Sequence, residues 1–98
     1  MTNLYVMQDR VSGAFGAVFE SPNDETVKRD FINLASNAAI PEYAIRDTLV
    51  IHLGSFDQDE KNPSIQSVGI PRVILRGFDH EVCKARERAV SADAPDTV

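Results

Sequence analysis

Two arginines, Arg72 and Arg76, and the adjacent pair Lys28–Arg29 are the side chains best suited to meet a phosphate or an acidic protein surface. Four residues apart on an extended segment, Arg72 and Arg76 are expected on one face, with Val73 and Leu75 turned to the core. Tyr5, Phe15, Phe19, Phe56 and Phe78 supply aromatic rings. Exposed rings beside a basic groove bind single strands by base stacking. The structural alternative is that the rings fill the core. Lys28 and Arg29 have an alternative of their own. Asp24–Lys28 and Glu25–Arg29 are i,i+4 pairs in the favourable acid-first order, worth roughly 0.2–0.5 kcal/mol each. On that account they stabilise their own helix.

Other chemistries find little support. His80 and Cys83 have a ligand-like spacing, but a structural zinc site needs about four ligands and the other histidine is His52. The Asp57-Gln58-Asp59 run lacks the glycine and glutamate of a calcium loop, where Asn62 and Val68 stand instead. A cysteine nucleophile needs an activating base, and nothing in the sequence ties Cys83 to either histidine. Gly13-Ala14-Phe15-Gly16 lacks the lysine and length of a phosphate loop. No catalytic residue, metal or cofactor is expected, and an enzyme is not.

Charge narrows the partners. The net charge of −5 argues against a protein that coats nucleic acid. The basic residues are unevenly placed, however. Arg72, Arg76, Lys84, Arg86 and Arg88 outnumber Asp79, Glu81 and Glu87 between residues 71 and 88. An anionic partner would meet the chain there, or at Lys28 and Arg29. No apolar run approaches the roughly 18 residues of a membrane span, and the first residues do not resemble a signal peptide. A lone cysteine fits a reducing compartment.

These side chains need a scaffold. Residues 3–9 and 14–20 read as a hairpin through the Ser12-Gly13 turn, with Gly16 as a kink. Ser21 before Pro22, or Asn23, caps a helix to residue 37, with Asp24 and Glu25 in its first turn. Val27, Phe31, Leu34 and Ala38 form its apolar stripe, which Ile32 and Ala35 widen. Residues 41–47 are a connector or a short helical turn. Residues 48–56 alternate as a half-buried strand, an acidic loop follows, and 64–69 and 71–76 read as strands separated at Pro71. The expected class is α+β: one small domain over residues 1–78, β-β-α-β-β in order. Its four-stranded, mainly antiparallel sheet carries one helix on a face. A short helix over 79–90 and a disordered tail over 91–98 complete the expectation.

The stretch NLYVMQDRVSGAFGAVFESPNDETVKRDF resembles the start of the small non-structural protein of gokushovirus-type microviruses. The resemblance rests on Asp9, Phe15, Asn23-Asp24, Arg29 and Phe31, and on Leu53, Gly54, Phe56 and Asp57 in a second block. It implies a phage protein acting in the host bacterial cytoplasm. It implies the counterpart of the microvirus protein that switches replication to single-stranded DNA synthesis and directs packaging. The implied partners are single-stranded or replicative-form DNA, the viral replication initiation protein, or the procapsid. The residue-level alternative is a protein adaptor, homodimeric through edge strands or an uncovered sheet face, without DNA or membrane contact.

Overall fold

The structure, a computed structural model, describes residues 2–93. Strand β1 (Thr2–Asp9) leads through an exposed loop to β2 (Phe19–Ser21), then to helices α1 (Asp24–Ala35) and α2 (Glu42–Arg46). Strands β3 (Thr48–Asp57) and β4 (Ser64–Arg76) and helix α3 (His80–Asp93) follow. The strands form one antiparallel sheet in the order β2-β1-β3-β4. This is the α+β architecture the sequence implies.

Helix α1 starts at Asn23 rather than Ser21. The extended backbone of Asn23 lets its side-chain oxygen accept from the Thr26 backbone N–H at 2.8 Å, satisfying one of the orphan donors of the first turn. Its buried residues are Val27, Phe31 and Ala35, a strict i+4 row. Leu34, expected in the stripe, stays 43% exposed, while Ala35, expected at its margin, is fully buried. This row packs on Tyr5, Val50 and Leu75 of the sheet. Val82 of α3 joins the same core, and Ala85 is buried too. Helix α3, expected over 79–90, is thus part of the packed unit and runs on to Asp93. The tail expected from 91 lies, over 94–98, outside the described residues.

Two strands differ from expectation. The segment 14–20 pairs with β1 only at Phe19–Ser21 and at an isolated Gln8↔Phe15 bridge. Single backbone bonds from Asp9 N–H to Ala14 and from Gly16 N–H to Met7, with a turn bond from Gly13 N–H to Asp9, tie the rest to β1 without a regular ladder. Gly16, with no side chain to pack, leaves the strand weak. In the other direction, β4 continues through Pro71. Pro71 is tolerated because residues 68–71 have no partner on β3 and β4 is the edge strand among the described residues.

Candidate functional site

The register decides which side chains meet. Residues paired across antiparallel strands point to the same face. Phe19, Tyr5, His52 and Arg72 pair in succession, so they form one row across the sheet on the face beneath α1. Tyr5 stacks on Phe19 with centroids 5.8 Å apart and lies 5.1 Å from the His52 ring.

Asp24, first residue of α1, closes the row from above. The buried Tyr5 hydroxyl donates to its Oδ1 at 2.7 Å, and Arg72 Nη2 donates to its Oδ2 at 3.0 Å. The same Nη2 is 3.2 Å from His52 Nδ1, and His52 Nε2 is 3.1 Å from Asn3 Oδ1. The Asn3 amide donates its N–H to the Pro22 carbonyl at 2.8 Å, which leaves Oδ1 as an acceptor. Arg72 has donors alone. In the contact with Arg72, His52 Nδ1 is therefore the acceptor, which leaves Nε2 facing Asn3 Oδ1.

Burial alone would raise the Asp24 pKa. The hydrogen bonds from Tyr5 and Arg72, with the Arg72 charge, outweigh it and hold the carboxyl below its ordinary value. Burial pushes the Tyr5 phenol up, and its bond to the Asp24 carboxylate adds to that. The network therefore fixes the N-terminal end of α1 to three strands. The open depression around it carries Asp24 and Glu25 against the single guanidinium of Arg72. That balance disfavours phosphate.

The four basic residues are not brought together. Arg72 lies on the helix-covered face. Arg76 lies on the other, which corrects the expectation of a shared face. The cause is a bulge: Ile51 pairs with Val73 and Val50 with Leu75, leaving Ile74 unpaired. The extra residue inverts the alternation between Arg72 and Arg76. Val73 and Leu75 part for the same reason: Leu75 is buried, while Val73 is 38% exposed. Arg76 Nη1 sits 4.0 Å from Asp79. On α1, Asp24 turns to Arg72 instead of Lys28, and Arg29 lies 3.6 Å from Asp30 instead of Glu25. Neither predicted i,i+4 pair forms: the network at the start of the helix takes Asp24 from Lys28, and Arg29 sits beside its neighbour Asp30.

The aromatic rings divide likewise. Tyr5 is in the core and Phe19 packs against it. Phe15 and Phe78 are exposed, and Arg10 stacks over Phe78 at 4.9 Å. Cys83 Sγ contacts the Phe78 carbonyl at 3.4 Å, while His52 is held by Asn3 and Arg72. Among the described residues, no three His, Cys, Asp or Glu side chains converge on a common metal position.

Sequence reasoning missed Arg86. From α3 its guanidinium donates to the carbonyls of Ala35, Asn37 and Ile40, which end α1 and lead away from it. The last turn of α1 has no basic residue of its own. Arg86 supplies the cation that the helix dipole favours there. The partners are 46 to 51 residues away in sequence, so no local pattern announces the contact.

Residues 2–80 match the family model described as Phage ORF5 protein. The chain belongs to that family. No curated protein and no solved structure matches it. The Phage ORF5 match spans every strand, with α1 and α2, and ends where α3 begins. Within it, Gly54 has a steric role: a Cβ there would collide with the Gln66 carbonyl of β4. Asn23-Asp24 supplies both the cap of α1 and the carboxylate of the network. The chain is thus a phage protein, and none of its described helices is long and apolar enough to cross a membrane.

Proposed function

We propose that this phage protein is a non-enzymatic accessory factor in viral single-stranded DNA synthesis and genome packaging. It acts in the host bacterial cytoplasm by docking on protein, namely the replication initiation protein or the procapsid. Membership of the Phage ORF5 family supports a phage role, and the resemblance to the gokushovirus non-structural protein supports the replication step. The observation that carries protein docking over DNA contact is the separation of Arg72 and Arg76 to opposite faces, each beside a carboxylate. Phosphate binding draws on cations aligned along one groove.

The role is tested in infected cells by the ratio of single-stranded genomes to replicative-form DNA. Interrupting this reading frame is expected to lower that ratio while replicative form still accumulates. An unchanged ratio sinks the proposal. The mode of action is tested by anisotropy of a labelled single-stranded oligonucleotide. No binding is expected at near-physiological salt. Binding that falls steeply with salt and vanishes in Arg72→Ala/Arg76→Ala would replace docking by direct DNA contact.

A further inference from the structure

The sheet has a second face, opposite α1. Paired positions place Leu4 and Val6 of β1, Leu49, Ile51 and Phe56 of β3, and Val73 of β4 on it. Val6 and Ile51 are only 4% and 7% exposed, yet neither belongs to the core under the helices. Toward the rim, Phe15 and Ile65 are 63% and 68% exposed. An antiparallel sheet with one solvated face ordinarily puts polar residues outward. Here the central outward positions Leu4, Val6, Ile51 and Val73 are apolar, with Thr2, Gln8 and Ser67 around them, and a contiguous exposed apolar patch marks a contact surface.

Charge identifies the occupant. Of the residues paired in the strand ladders on this face, only Glu20 and Arg76 are charged. Glu20 is on β2, one edge of the sheet, level with Leu4; Arg76 is on β4, the other edge, level with Leu49. They stand at diagonally opposite corners of a neutral patch. A two-fold axis in the plane of the face, along the other diagonal, lays each Glu20 over the partner's Arg76. It also crosses the strands of the two sheets near a right angle, one of the two preferred sheet packings. A two-fold contact uses the same patch twice and must be complementary to itself. This face meets that condition. A nucleic acid would find one guanidinium on it.

We infer that the open sheet face is a homodimer interface: a second copy of this chain covers it, with Glu20 and Arg76 paired reciprocally across the two-fold. The scale is that of a weak, reversible contact, below a standard interface. Strands about 4.8 Å apart and about 3.3 Å per residue give a patch on the order of 500 Å² in projection, before side-chain relief. Stable interfaces bury about 800 Å² per partner. Arg76 Nη1 lies 4.0 Å from Asp79 Oδ1, at the limit of an ion pair, so Glu20 of a second copy competes with a weak partner. Dimerisation is independent of the replication role proposed above and can hold or fail without it.

Sedimentation velocity of the full chain over a range of concentrations tests it. A reversible dimer is expected. Glu20→Arg alone or Arg76→Glu alone sets like charges together at both ends of the interface and weakens association about tenfold. The double reversal restores it. Val73→Asp buries two unpaired carboxylates in the dimer and weakens it about a hundredfold or more. Circular dichroism confirms that each variant is folded. A monomer at every concentration overturns the inference. So does a dimer indifferent to Val73→Asp and to the reversals, or one the double reversal fails to rescue.

Discussion

The same four strands present two faces of different construction. The helix-covered face joins a close-packed core to a polar row: Phe19, Tyr5, His52 and Arg72, closed by Asp24. Every polar group of that row has a partner on another element. The open face is apolar through its centre and charged only at two corners. One face is finished within the chain, and the other, on the dimer proposal, is finished by association. Charge on a sheet thus has two uses here. Buried among partners, it orients a helix; isolated at a rim, it is available to another molecule.

The contrast can be broken most sharply in the core. Phe31 is 2% exposed and central to α1. Phe31→Ala is expected to cost about 3–5 kcal/mol of unfolding free energy in denaturant titration. A loss under about 1 kcal/mol would mean that the core under α1 is not the main source of stability.

Arg86→Ala comes next. It leaves three carbonyls near the end of α1 without their donor and is expected to cost about 1–3 kcal/mol. Hydrogen exchange should show the last turn of α1 and the 37–40 segment opening first. Uniform loss of protection across the chain would contradict the clip.

Asp24→Asn probes the polar row and should cost about 1 kcal/mol at neutral pH, since the site is partly exposed. Its folded pKa is depressed. The stabilisation is therefore fully present above the unfolded carboxylate value of about 3.9 and disappears as pH falls through the lower folded value. The gap between wild type and Asp24→Asn should close in acid. A gap that persists in acid would mean that the carboxylate charge is not what holds the row. At the alkaline end the sign reverses. The raised Tyr5 pKa gives stability that is present below the ordinary phenol value near 10 and lost as pH rises. Tyr5→Phe should abolish that alkaline loss.

The smallest effect is expected on the open face. Phe15→Ser, at a site 63% exposed, should change monomer stability by no more than about 0.5 kcal/mol. A larger loss would show that the face is packed within the chain after all.

Much of the fold was legible because it rests on local chemistry. Alternation in Leu49–Leu53, the acidic first turn of α1 and the apolar Val27–Phe31 spacing are written within a few residues. Those patterns gave the element order and the antiparallel sheet. The site was legible only in its parts. Arg72 and Arg76 stood out by type and spacing, but their relation was wrong, because alternation holds only while the pairing is regular. The Ile74 bulge depends on how β4 meets β3, and β4 alone does not encode it.

The sequence by itself determined the α+β class, the start of α1 near Asn23-Asp24 and the residues able to carry charge to a partner. Periodicity and capping act through neighbours in the chain. Tertiary structure alone decided that Asp24 binds Tyr5 and Arg72, 19 and 48 residues away, rather than Lys28 one turn on. It alone placed Arg86 at the end of another helix and sent Arg72 and Arg76 to opposite faces. These contacts follow from strand register and helix docking. A carboxylate half-sheltered between a phenol and a guanidinium gains more there than from a lysine on an exposed helix surface.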